Sequence, residues 1–128
     1  VLDQDGNQVA VLHARMDEDQ YVKQMFCLGY YYNIALIAIE ANYSTYPNRM
    51  IAQLEYPNIY VREEQDRMLR KFQKRFGFMT TSRTRPMIIS QLVEIMRDEI
   101  HLINDYATLN EALSFVFFFC AITKISHF

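Results

Sequence analysis

The run Ile-Ala-Leu-Ile-Ala-Ile at 34–39, closed by Glu40, Ala41 and Asn42, constrains this chain more than any other stretch. It is apolar on both faces of an extended backbone, which is the pattern of a parallel or central strand. A single carboxylate stands at its end. In open α/β sheets, functional groups gather just beyond the carboxyl ends of strands, where side chains converge and water has access. A strand-end glutamate is more commonly a solvated rim residue, so the meaning of Glu40 rests on its neighbours.

The flanking segments complete an α/β reading. VLD, the turn QDGNQ and VAVLHARM form a predicted hairpin, because D-G accepts the backbone of a tight turn. Asp17 with Gln20 makes a capping-box pattern, and Tyr21, Met25, Leu28 and Tyr32 recur at helical spacing, with Gly29 and Asn33 marking the end. STYPNRMIAQLEY is a shorter predicted helix, with Pro47 in its first turn, Met50, Ile51 and Leu54 facing inward and Pro57 ending it. NIYVRE is a short strand, and 63–85 an excursion of short strands or a hairpin. From Pro86 a helix carries Ile88, Ile89, Leu92, Val93, Ile95 and Met96 on one stripe. IHLIND is expected as a strand, and Thr108 with Glu111 as a second capping box opening a last helix. The order β-β-α-β-α-β-insert-α-β-α gives an α/β fold with a mixed sheet flanked by helices.

Composition narrows the class. The 128 residues include nine Tyr and nine Phe, and 51% are hydrophobic, ample for a packed core. No apolar run approaches the roughly 18 residues a membrane helix needs. Cys27 and Cys120 form neither a disulfide framework nor a zinc pattern, which points to a reducing cytosol, and no secretory leader is expected at the N-terminus. The net charge of −2 conceals an asymmetry: residues 62–85 hold eight Lys and Arg against three Asp and Glu. Phosphate contacts respond to such a local field rather than to the total, although a basic run is commonly only a solvated face.

Other candidates are read more plainly. His13, His101 and His127 lack metal-ligand spacing, and Cys27 is a packing residue on a helix. The run Tyr30-Tyr31-Tyr32 is a helix end packing on a sheet rather than a base-stacking platform. Asp105 and Glu111 read as turn and capping residues. No phosphate-binding loop, dinucleotide fingerprint or nucleophile elbow occurs.

Four pieces in this order, Y-N-x-A-L-I-A-x-E-x-N at 32–42, Y-P-x-x-Y at 56–60, G-F-x-T-T-x-x-T-R-P at 77–86 and L-N-E-A-L-S-F at 109–115, resemble the nuclease domain of tailed-phage terminase large subunits. The resemblance spans residues 1–116 and leaves 117–128 as a divergent apolar tail. It implies a ribonuclease-H-like fold, here incomplete within a single partial domain of 128 residues. It further implies a metal-dependent endonuclease activity that cuts concatemeric double-stranded DNA during packaging, with two Mg2+ or Mn2+ ions held by clustered acids. Glu40 then corresponds to the acid of the central strand, in catalytic and metal-binding roles, and Asn42 lines the same edge. Arg70, Lys71, Lys74, Arg75, Arg83 and Arg85 become the DNA-facing cations.

Where the pattern departs, the expectation changes. The family's first acid lies upstream of the hairpin turn, which the chain reaches at once from Val1; Asp3 and Asp5 flank the far end of that turn. Its last acid lies beyond the final helix, where this chain reads FFFCAITKISHF with no acid from Ala112 onward. One carboxylate does not hold two divalent ions. The expectation is therefore an inactive fragment, such as a prophage in a bacterial cytoplasm leaves behind. The alternative is a non-enzymatic module that binds a partner or a second copy of itself. An exposed sheet edge and the apolar 115–122 tail would serve that role.

Overall fold

A computed structural model describes residues 1–66 and 71–114. Arg70 and the apolar tail at 115–128, with Cys120 and His127, lie outside the described residues. The chain mixes helix and strand, as an α/β chain does, and divides into two compact units: residues 15–81, and residues 1–14 together with the chain from Ser82 onward. Among the described residues, no helix is long and apolar enough to cross a membrane.

In the 15–81 unit, helix α1 (Glu18–Tyr31) starts after Asp17, as expected, but no side chain caps it. The capping box does not form; Glu18 and Asp19 place negative charge in the first turn, where the helix dipole favours it. Glu18 Oε2 also accepts the Ser44 hydroxyl at 3.2 Å. Gly29 does not end the helix. It lies inside it because the Tyr56 ring and hydroxyl occupy the space where a Cβ would stand. The chain leaves α1 through Asn33 (φ 56°) and Ile34 (φ 59°). Left-handed backbone is strained for a β-branched residue, and here the Ile34 carbonyl is held by Asn58 Nδ2 at 2.9 Å.

Helix α2 (Tyr46–Gln53) carries Pro47 in its first turn and buries Pro47, Asn48 and Ile51. It stops at Leu54, well before Pro57, through Glu55 at φ 55°. Leu54 is correspondingly 39% exposed rather than inward-facing. Val22, Ile37, Ile51 and Tyr56 form the buried cluster of this unit, with Met25, Phe26, Ile39, Met50 and Ile59 packed against it. Tyr30 belongs to the same packing: its ring meets Tyr56 edge-on at 5.4 Å and Phe26 at 4.8 Å. Tyr31 points away and is 81% exposed.

The run 35–41 is bridged rather than a regular strand. Ile37 bridges Ile59 and Glu40 bridges Phe78, both in parallel. The bonds run along one edge: Ile37 N–H to the Asn58 carbonyl, Tyr60 N–H to Ile37, Phe78 N–H to Ile39 and Ala41 N–H to Phe78. Burial corrects the two-faced reading. Ile37 and Ala41 are buried and Ile39 is partly covered, whereas Leu36 on the opposite face is 58% exposed. Only one face is covered because the packed cluster lies on the odd-numbered side. Along the backbone edge, among the described residues, no hydrogen bond reaches Leu36 or Ala38. Strands β1 (Val61–Asp66) and β2 (Lys71–Phe76) pair antiparallel, so the excursion is a hairpin, as one of its two readings expected.

In the other unit, Leu2 bridges Gln8 across the expected turn. Asp3 shapes that turn: its Oδ1 accepts the amides of Asp5 and Asn7 at 2.9 and 2.8 Å. The Asn7 side chain above all, with these amides, holds the Asp3 carboxyl below its usual pKa. Helix α3 (Thr84–Asp98) buries only Met96 among its stripe, with Ile88 42% exposed. IHLIND is not a strand. Ile100–Leu102 form a 3-10 turn, because Leu102 and Ile103 donate back to Glu99 and Ile100. The stretch still meets the hairpin through Gln8, whose N–H donates to the Leu102 carbonyl and whose Oε1 accepts Asn104 and Asp105 N–H. Residues 106–114 are helical, starting ahead of the expected Thr108. Asp105 is the cap, since its Oδ2 accepts both the amide (2.8 Å) and the hydroxyl (2.7 Å) of Thr108. The amide, then the hydroxyl, lowers the pKa of the Asp105 carboxyl.

Candidate functional site

Glu40 stands where the sequence placed it, at the carboxyl end of the apolar run, and the pairing there builds a small polar clamp. Because Phe78 docks in parallel alongside Ile39 and Ala41, the next residues of that segment run past Glu40. Thr80 Oγ1 donates to Glu40 Oε1 at 2.5 Å. Asn42 then closes on Thr80 from both sides: its Nδ2 donates to the Thr80 carbonyl at 2.6 Å, and its Oδ1 accepts the Thr80 amide at 2.8 Å. Asn42 and Glu40 are thus joined through Thr80. Thr80 was not singled out from sequence; its signal lay within the G-F-x-T-T piece, at a separation no local pattern bridges.

Two divalent ions need several hard oxygen ligands around a shared centre. One Glu40 oxygen accepts a hydroxyl, and the Asn42 oxygen accepts an amide. Among the described residues, no three His, Cys, Asp or Glu side chains come together. These residues do not fit a two-metal centre, and no catalytic step is assigned to one. Asp3, the nearest acid to the chain start, already accepts several donors of its own turn.

The basic residues separate into two groups. Lys71, Lys74 and Arg75 lie exposed on β2 in the 15–81 unit. Arg83 and Arg85 lie in the other unit, Arg83 as the residue before α3 and Arg85 in its first turn. On the hairpin, Arg62 faces Arg75 directly in register. Like charges so opposed repel, and Glu64 offsets the repulsion: its two oxygens stand 3.7 Å from Arg62 Nε and 3.7 Å from Arg75 Nε. Arg62 is also anchored to the chain, donating through Nη1 to the carbonyls of Phe76 at 2.9 Å and Gly77 at 2.7 Å. Helix α2 contributes Arg49, held 5.7 Å over the Tyr46 ring. Arg49 lies outside the 62–85 window, so a linear charge count does not find it.

No protein-family model matches this chain, and no curated protein or solved structure matches it either.

Proposed function

We propose that this chain is a ribonuclease-H-like relative of the terminase nuclease domain that contacts double-stranded DNA through its basic hairpin and performs no phosphodiester hydrolysis of its own. The observation that carries this reading is the continuity of hairpin and acid site. β2 passes through Gly77 and Phe78 directly into the Thr80–Glu40–Asn42 clamp, so a basic surface and a strand-end acid share one segment. A bacterial cytoplasm is the compartment that goes with this reading.

Replacing Lys71, Lys74 and Arg75 together by Gln is expected to weaken binding to a short duplex at least tenfold at low salt. For every phosphate no longer neutralised, the log–log salt dependence should flatten by about 0.9. Fluorescence anisotropy at several salt concentrations reads both quantities; unchanged affinity and slope would remove DNA contact from the hairpin. In the same preparations, manganese calorimetry and plasmid nicking should not distinguish the chain from Glu40→Ala. Nicking that disappears in the variant would overturn the absence of hydrolysis.

The backbone edge at Leu36 and Ala38, which has no hydrogen bond among the described residues, favours a second reading, a module that pairs with another copy of itself. Light scattering should then show mass rising with concentration and falling for Leu36→Lys. A constant monomer mass would dispose of this second reading.

A further inference from the structure

We infer that the cleft between α2 and the hairpin is a phosphate-binding subsite in which Glu64 holds the place of the anion. The inference rests on the DNA reading above and extends it to residues that reading does not name. The cleft has a volume of about 730 Å³, and its walls include Asn48 and Arg49 from α2 and Arg62, Glu64, Lys74 and Arg75 from the hairpin. Four cationic side chains therefore share one concave surface with a single carboxylate.

Two observations within the cleft point to a ligand. Asn48 is 4% exposed, yet neither Nδ2 nor Oδ1 of its amide has a hydrogen-bond partner among the described residues. Buried amides are almost always satisfied, and one left without a partner loses its hydration with nothing in return. Arg62 Nε is buried in the same way and has no hydrogen bond among the described residues. Its nearest acid, Glu64, sits at 3.7 Å, within ion-pair range but beyond a hydrogen bond. The Glu64 carboxylate thus spans two guanidiniums at a distance that satisfies neither.

A phosphate group suits this arrangement better than the carboxylate does. Its oxygens accept from several donors at once, and guanidinium forks match that geometry. Arg49, Lys74 and Arg75 are exposed and supply charge at the mouth; Arg62 supplies a guanidinium held by the Phe76 and Gly77 carbonyls. Glu64, with a side chain 53% exposed, swings out as the phosphate enters. It acts as an internal competitor that lowers affinity.

The test compares Glu64→Gln, Arg49→Gln and the control Lys23→Gln, whose side chain is 61% exposed on α1. All three are surface changes, and their thermal midpoints are measured first to confirm equal folding. Each protein is titrated with a 20-base-pair duplex and, separately, with inorganic pyrophosphate. Glu64→Gln should tighten duplex binding about threefold to tenfold at 0.1 M salt, Arg49→Gln should weaken it by a similar factor, and Lys23→Gln should leave it unchanged. Duplex binding that ignores both Glu64→Gln and Arg49→Gln overturns the subsite and leaves the DNA reading standing. Pyrophosphate binding with the expected pattern but no duplex binding keeps the subsite, assigns it to a small phosphate and removes the DNA reading. Binding of neither probe overturns both.

Discussion

Gly77→Ala is expected to lower stability by about 3 kcal/mol, the sum of a left-handed backbone that disfavours a side chain and a collision that cannot relax cheaply. Gly77 sits at φ 84°, which costs an L residue strain wherever it occurs. An added Cβ would also stand 2.5 Å from Asn48 Oδ1, 2.6 Å from Asn48 Nδ2 and 2.6 Å from the Ile39 carbonyl. The amide of Asn48 can be replaced by mutation, but the carbonyl is backbone and is part of the bridge to Phe78. For a chain of this size the loss corresponds to a fall in thermal midpoint of roughly 10 °C. The double variant Asn48→Ala, Gly77→Ala separates the causes: relief of most of the loss would place the collision in the amide, and little relief would place it in backbone strain and the Ile39 carbonyl. A Gly77→Ala midpoint within about 2 °C of the parent would contradict the close approach itself.

Gly29→Ala is the second large effect, of about 2–3 kcal/mol, although alanine is ordinarily the better helix former by roughly 1 kcal/mol. Helix propensity alone therefore predicts the opposite sign, which makes the measurement decisive. Tyr56 is 3% exposed and cannot swing away: its hydroxyl donates to the Ala35 carbonyl at 2.6 Å, and the rings of Phe26 and Tyr30 flank it. Burial, with a smaller contribution from Tyr30, raises the pKa of that hydroxyl, so it remains a donor across the neutral range. Chemical denaturation of Gly29→Ala, Tyr56→Leu and the pair gives the coupling. The double variant should be more stable than the two single losses added together, because a leucine in place of the tyrosine leaves room for the new methyl. Gly29→Ala more stable than the parent would show that Tyr56 does not press on the helix.

These two glycines show what sequence could and could not disclose. The starts of α1 and α2 were legible because their signals are local: Asp17 precedes α1, and Pro47 sits in the first turn of α2, whereas α3 begins at Thr84, ahead of the expected Pro86. Gly29 looked like punctuation because its reason is an aromatic ring 27 residues away in sequence. The last helix starts ahead of the expected Thr108 because Asp105 caps it, accepting both the amide and the hydroxyl of Thr108, which places Thr108 inside the first turn. IHLIND has the composition of a strand, yet the backward bonds to Glu99 and Ile100 tighten it into a turn. The acid site was half legible. Glu40 and Asn42 lie on one short run, whereas Thr80 is joined to them only by parallel pairing, and the phosphate cleft draws Arg49 from a separate helix.

That separation sets an order of assembly during synthesis. A chain emerging from the ribosome releases Glu40 and Asn42 about forty residues before Thr80, with α2 and the hairpin still to come. Until Thr80 arrives, the apolar run lacks its Phe78 pairing and the carboxylate lacks its hydroxyl. α1 and α2 are made of local bonds and form early; closing the loop to Thr80 comes late. The nascent chain therefore passes through a window in which the backbone edge of Ile37, Ile39 and Ala41 is unpaired, and the speed of translation through 58–80 decides how long that window lasts.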